Sequence, residues 1–202
     1  MSRSWWRQTI AVVVAAGLGA AGALTLTHHD PPPVLLSSDD IAFAQNMSGH
    51  HQQAVMMADM VAADSVPEVR ALAEQIRFTQ LNEIGQMTGW LQLADADPSA
   101  AVPADNGTHP GMEAGMTMNG MASPDDLRRL QYSTGPANEV QFLQLMLRHH
   151  QGGIDMAANA FRHSRNDVVR RAATLMVDEQ TQETAVITAL LNQRNAAPLP
   201  YP

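Results

Sequence analysis

The feature that most constrains the fold is an internal repeat. Two blocks of the sequence recur further along the chain, the first at a spacing of 99 residues and the second at a spacing of 100. The first block is Phe43, Met47, His50, His51, Gln52, Met57 and Ala58, which recur as Phe142, Met146, His149, His150, Gln151, Met156 and Ala157. The second is Val69, Arg70, Ala73, Gln80, Glu83 and Leu91, which recur as Val169, Arg170, Ala173, Gln180, Glu183 and Leu191. Each copy has room for two helices, so the chain is expected to contain two related helical hairpins.

Periodicity and capping residues predict the helices of the first repeat. Apolar residues at spacings of three and four predict a helix that Ser38 or Asp39 caps and that ends near residue 63. The segment from Ser65 to Glu68 is typical of a capping box, with proline in the first turn, and predicts a second helix to about residue 93.

The second repeat is expected to add a short helix before its hairpin. Ser123 is the expected cap of this short helix, which Gly135-Pro136 ends. A long helix to about residue 163 follows, and Asn166 caps a last helix that reaches about residue 195. The sequence therefore predicts an all-α fold, a four-helix bundle made of two repeated helical hairpins.

The expected organisation divides the chain into four parts. These are a signal anchor or transmembrane segment (1–27), a Pro-rich spacer (28–37), the four-helix domain (38–195) and an extended tail (196–202). Within the domain, repeat one (38–93) and repeat two (123–195) are joined by a Met-rich crossover (94–122) that has no hydrophobic period.

The first segment has the layout of an export signal. Arg3 and Arg7 precede an uncharged run over residues 10–26, and its length of about 17 residues is near the lower limit for a membrane span. We expect a retained anchor in the cell membrane. Cleavage near Ala21-Gly22-Ala23 is the alternative and would release a secreted protein. Both outcomes place the domain outside the cytoplasm.

Composition excludes several classes of function. The chain has no Cys, which excludes disulfides, thiolate catalysis, iron–sulfur clusters and Cys-based zinc sites. From residue 28 onward it has 20 acidic residues and 10 Arg, so a nucleic-acid partner bound in a basic groove is not expected. The 13 Met and 8 His direct attention to soft metals.

Helical geometry places the repeated His and Met on the apolar face. At 100° per residue, with Phe43 at 0°, Met47 lies at 40°, His50 at −20°, His51 at 80° and Met57 at −40°. The same angles hold in the third long helix for the repeated residues Met146, His149, His150 and Met156. In the other two long helices the residues that face inward include Gln80, Glu83, Gln180 and Glu183. Inward Glu and His are the layout of ferritin-like bundles, although only two carboxylates are available here instead of about four.

Thioether and imidazole without thiolate suit Cu(I), or Cu(II) bound mainly through His. The candidate ligands of the first repeat are Met47, His50, His51 and Met57, and those of the second are Met146, His149, His150 and Met156. Glu83 and Glu183 are candidates as direct or outer ligands. A third group lies in the crossover and consists of His109, Met112, Met116, Met118 and Met121.

Each candidate also has a structural interpretation. Met at helical spacing commonly fills cores, a His–Glu contact can simply stabilise a bundle, and the crossover Met can cap a hydrophobic surface. The duplication of a His pair flanked by Met on an apolar face favours the metal interpretation.

These residues carry a family resemblance. The stretches Asp40–Ala54 and Phe142–Gly153, each with its doubled His, resemble the two signature halves of domain of unknown function family 305 (DUF305). The resemblance covers roughly residues 38–195. It implies an exported, ferritin-like protein, and a link to copper binding or copper tolerance.

Three functions remain open from the sequence. The first is a membrane-anchored copper-binding protein that buffers or transfers the ion without turnover. The second is a ferritin-like metal oxidase, which few carboxylates and the lack of a repeated Tyr argue against. The third is a structural or partner-binding module of a membrane complex that binds no metal.

Overall fold

The computed structural model describes residues 36–98 and 119–201. These ranges contain five helices and no strand, which confirms the all-α prediction. The helices are α1 (Ser38–Asp59), α2 (Pro67–Leu93), α3 (Pro124–Tyr132), α4 (Gly135–His163) and α5 (Asp167–Gln193). The predicted hairpins are α1–α2 and α4–α5, and the short helix is α3.

The predicted signal anchor (1–27) lies outside the described residues, as do residues 28–35 of the spacer and 99–118 of the crossover. Across the two described ranges, no helix is both long enough and apolar enough to cross a membrane.

Polar side chains cap three of the helices. Ser37 caps α1 and forms a capping box with Asp40, one residue before the predicted cap. Ser123 forms the same arrangement at α3. The side chain of Asn166 accepts from the first backbone amides of α5, as predicted.

The predicted capping box at α2 is wrong. The cap of α2 is Val66, which has no capping side chain, and its backbone N–H donates to Glu139 of the other hairpin at 2.8 Å. Glu139 also accepts from Arg194 at 2.6 Å. A tertiary contact therefore replaces the local one that the Ser65–Glu68 motif predicted.

The two hairpins meet through α1 and α4, and the core has two ends. One end, which we call the isoleucine end, includes Met57, Met146, Ile76 and Ile187. The other, which we call the methionine end, includes Met47, Met87, Met156 and Met176, with Phe43 and Leu91. Each end combines the first half of some helices with the second half of others, as expected when the two repeats are related by an approximate two-fold axis.

Candidate metal centre

Four buried imidazoles lie between the two core ends. His50 of α1 and His149 of α4 stack across the contact of the hairpins, with ring centroids 3.7 Å apart. His51 and His150 follow them in the two helices, each with its ring centroid 6.4 Å from that of its neighbour. All four are fully buried, as the helical angles predicted. We call this group the His centre.

Each hairpin places one carboxyl group against its second His. Nε2 of His51 lies 2.8 Å from Oε2 of Glu83, although the angles are not those of a hydrogen bond. Nε2 of His150 lies 2.6 Å from Oε2 of Glu183 and makes a hydrogen bond with it. The predicted pairing of inward His and Glu is therefore present in the fold.

Burial makes three of the four imidazoles neutral. Burial, reinforced by neighbouring imidazoles, lowers the pKa of His50 to about 3, that of His51 to about 3 and that of His149 well below its usual value. Burial, with the nearby carboxylate of Glu183, raises the pKa of Glu83 to about 7. Because His51 is neutral, its contact with Glu83 is not a full ion pair. The imidazoles of His50, His51 and His149 are in the neutral form that binds metals.

The ring nitrogens of the His centre are poorly satisfied. Backbone groups of Asn119 and His50 interact with the imidazoles of His50 and His149. By geometry, both nitrogens of His50, His51 and His149 and Nδ1 of His150 still have no well-aligned hydrogen bond within the described ranges. Buried polar atoms without partners are unusual and are expected at ligand sites. In the described part of the chain, however, no three or more His, Asp or Glu side chains converge on a common point that could hold a metal. A metal at the centre therefore needs thioether ligands or rotation of the imidazoles.

A pocket reaches Glu83, the carboxyl group that contacts His51, from one side. It has a volume of about 280 Å³ and lies between α2 and α5, with Glu83 and Glu179 in its wall and Phe78 and Leu175 at its sides. Burial and the two neighbouring carboxyl groups raise the pKa of Glu179. Glu179 was not among the candidate site residues of the sequence, because those were chosen by identity between the repeats and the position equivalent to Glu179 is Thr79.

A short strap of residues Asn119–Ala122 covers the other side of the α1–α4 contact. The side chain of Gln53 donates to the carbonyl oxygen of Ala122 at 3.0 Å and accepts from its N–H at 2.6 Å. At the equivalent position of α4, a Cβ on Gly152 would lie 1.8 Å from the carbonyl oxygen of Asn119. Gln53 therefore holds the strap, and Gly152 leaves room for it.

The candidate Met residues are buried but not grouped by repeat. Met47 and Met156 lie at the methionine end, whereas Met57 and Met146 lie at the isoleucine end. The two Met of one repeat are therefore on opposite sides of the His centre. The structure therefore does not bring the four candidate ligands of either repeat together at one point.

Most of the crossover candidates cannot be placed. His109, Met112, Met116 and Met118 lie outside the described residues. Met121 belongs to the strap, is partly buried, and its carbonyl oxygen accepts from Arg148 at 3.3 Å. One crossover Met is thus next to the helix that carries His149.

The chain matches the family model described as "Domain of unknown function (DUF305)" over residues 40–191. None of the curated proteins searched matches it. Among solved structures it is similar to a DUF305 protein from Streptomyces coelicolor, described as a proposed secreted protein, with 37% identity and a TM-score of 0.72 over 81% of this chain and 98% of that one. It is also similar to a DUF305 fragment from Deinococcus radiodurans, with 28% identity and a TM-score of 0.65 over 80% and 99% of the two chains.

A further similar structure is CopM in its Cu(II)-bound form. The identity is 27% and the TM-score is 0.62, over 76% of this chain and 96% of that one. CopM has also been solved in Cu(I)-bound and Ag-bound forms. The fold is therefore related to that of a protein that binds copper and silver.

Proposed function

Because the chain belongs to the DUF305 family, we propose that it is an extracytoplasmic, membrane-anchored copper-binding protein that acts in copper buffering, transfer or tolerance. The observation that carries this proposal is the His centre, where four buried imidazoles, three of them neutral, have ring nitrogens without well-aligned partners. Neutral imidazole is a copper ligand, and leaving such nitrogens unsatisfied in a core costs about 1–3 kcal/mol each. The relation to CopM supports copper as the ion.

The proposed ligands combine the His centre with nearby thioethers. His50 and His149 face each other at the contact of the hairpins, and Glu83 and Glu183 orient the second His of each repeat. The Met of the two core ends and of the crossover complete the candidate set. Cu(I) fits neutral His and Met ligands best, and Cu(II) would be held mainly by His.

The location outside the cytoplasm rests on the charge pattern of residues 1–27 and on the S. coelicolor relative. With fewer carboxylates than the roughly four of ferritin-like bundles, the domain is suited to bind and release the ion without turnover. Oxygen consumption during Cu(I) loading would instead favour the metal oxidase.

The test is Cu(I) titration of the full chain in mild detergent, in competition with a chelator. Wild type is expected to bind with a Kd below about 1 µM, and His50→Ala/His51→Ala is expected to lose this binding. His163→Ala is the matched control, because His163 is exposed on α4. A variant with Met112, Met116, Met118 and Met121 changed to Leu separates crossover binding from the centre. Loss of binding only in the Met variant, or no binding by wild type, would contradict the proposal.

A further inference from the structure

The methionine end of the core receives one Met from each of the four long helices. Met47 comes from α1, Met87 from α2, Met156 from α4 and Met176 from α5. Their exposed fractions are 0%, 0%, 5% and 1%. They pack with apolar side chains that include Phe43 and Leu91, and their thioether sulfurs are the donor atoms within this cluster.

The opposite end shows that packing does not require four Met. The approximate two-fold axis pairs Met87 with Ile187 and Met176 with Ile76, and both Ile are fully buried at the isoleucine end. Met and branched aliphatic side chains of similar volume substitute for one another in cores at a cost of less than about 1.5 kcal/mol. Packing alone would therefore accept Ile at both ends, yet both extra thioethers lie at the same end.

Helical rise places the four Met within about 10 Å of the His centre along the bundle axis, in one nearer and one farther pair. Met87 is four residues after Glu83, which is about 6 Å along the axis, and Met47 is three residues before His50, about 5 Å. Met156 and Met176 lie about 9–10 Å away by the same measure, counted from the His–Glu contact of their own hairpin. The difference in height is about the length of one Met side chain, whose three rotatable bonds allow it to adjust.

We propose that Met47, Met87, Met156 and Met176 form a binding site for one soft monovalent cation, Cu(I) or Ag(I), next to the His centre. Thioethers are soft, uncharged donors that select such ions. Zn(II) and Cu(II) prefer imidazole and carboxylate and are not expected here. The site extends the proposed function, on which it rests for the choice of a soft cation, and its ligand set includes Met87 and Met176, which no repeat identity indicated.

The experiment follows the methyl groups of the Met residues. The full chain, with Met112, Met116, Met118 and Met121 changed to Leu, is labelled with ¹³C at the Met methyls and titrated with silver nitrate in chloride-free buffer. We expect the methyl signals of the four Met of this end to shift together and to saturate at about one Ag(I) per chain. Zn(II) is expected to leave them unchanged.

The repeat supplies matched variants. Met87→Ile/Met176→Ile copies the isoleucine end and is expected to weaken Ag(I) binding by about tenfold or more, with the melting temperature nearly unchanged. Ile76→Met/Ile187→Met makes the same exchange at the other end and is expected to leave the original site intact. Unchanged binding by the first variant would overturn the proposal. So would unmoved Met87 and Met176 methyls in the parent chain, a measurement that does not depend on how either variant folds.

The same titration separates this site from the His centre. If His50→Ala/His51→Ala abolishes Cu(I) binding while Met87→Ile/Met176→Ile does not, the proposed function stands and the methionine site is wrong. If the His variant binds Cu(I) as wild type does and Ag(I) still shifts the four methyls, the His centre is wrong and the methionine site stands.

Discussion

The two repeats carry the same His–Glu contact but surround the carboxyl group differently. In the second repeat, Glu183 accepts a hydrogen bond from the amide of Gln75 at 3.4 Å and its side chain is 5% exposed. In the first, the side chain of Glu83 is 13% exposed, and it borders a pocket that it shares with Glu179. The repeated motif thus fixes the contact, whereas unrepeated neighbours determine its electrostatics and access.

The acidic residue three positions before each repeated Phe shows the same divergence between the repeats. Asp40 completes the cap of its own helix and accepts from Ser164 of the other hairpin at 2.5 Å. Its equivalent, Glu139, is longer and reaches Val66 and Arg194. Asp40 thus combines a cap of its own helix with one contact to the end of α4. The additional methylene of Glu139 lets it link α2, α4 and α5.

The largest expected effect is the loss of that link. Glu139→Ala leaves Arg194, whose side chain is 15% exposed, without its carboxylate, and removes the acceptor of the Val66 N–H. Breaking a buried pair on one side commonly costs 3–5 kcal/mol, so we expect the free energy of unfolding to fall by about 3 kcal/mol. Urea denaturation followed by circular dichroism measures it.

Asp40→Ala should have a smaller effect, of about 2 kcal/mol, from a lost cap and a lost buried hydroxyl contact. Asp59→Ala is the control, because its pair with Arg77 is exposed at 56% and 49% and should contribute less than about 1 kcal/mol. An effect of Glu139→Ala no larger than that of Asp59→Ala would refute the link.

The next effect tests the different electrostatics of the first repeat. The pKa of Glu83 is raised from 4.5 to about 7 in the folded state, so its contribution to stability is present below about pH 4.5 and is lost as the pH rises through 7. Glu83→Gln removes this loss. The stability of the variant relative to wild type should therefore rise by about 2–3 kcal/mol between pH 4.5 and pH 8.

The buried imidazoles change stability in the opposite direction. The pKa values of His50 and His51 are lowered to about 3. Wild type and the Glu83→Gln variant therefore both lose stability as the pH falls below about 6.5. Because this loss is common to both, it cancels when the variant is compared with wild type at each pH by thermal unfolding. Glu74→Gln, at an exposed position of α2, should give a flat difference, and a flat difference for Glu83→Gln would mean that the carboxyl group is not perturbed.

The sequence was sufficient for the features that depend on one helix. Periodicity gave five helices close to their observed bounds, and helical angles placed His50, His51, His149 and His150 in the core. Both are consequences of local geometry and of burying apolar faces. The same angles placed Glu83 and Glu183 on inward faces, and the structure shows that each contacts the second His of its own repeat.

Features that depend on two hairpins were not predictable in this way. The cap of α2 comes from Glu139, 73 residues away, so the local Ser65 motif indicated the wrong residue. Met47 and Met57 share a helix face but lie about 15 Å apart along it, at opposite core ends. Because α4 runs antiparallel to α1, Met47 meets Met156 and not its own equivalent, Met146. Identity between the repeats could not indicate Glu179, because its equivalent in the first repeat is Thr79.

The smallest effect concerns Gln75, the neighbour whose side chain makes the surroundings of Glu183 differ most directly from those of Glu83. Gln75 and Leu175 occupy equivalent positions, and only the amide of Gln75 can donate to a carboxylate. Gln75→Leu should lower stability by less than about 1 kcal/mol, because the bond is long and Gln75 is exposed. High-precision thermal melts with the Gln75→Ala variant as reference are sufficient to detect it.

The reverse exchange, at Leu175, tests whether an amide at this position causes the different electrostatics of Glu83 and Glu183. Leu175→Gln places an amide beside the pocket that Glu83 and Glu179 border, where it can donate to a carboxylate and favour the charged form. The pKa of Glu83, followed by NMR of its side-chain carboxyl carbon, should then fall from about 7 toward 4.5. If it stays where it is in wild type, burial alone sets the pKa, and the two repeats differ by solvent access and not by the donors that surround their carboxyl groups.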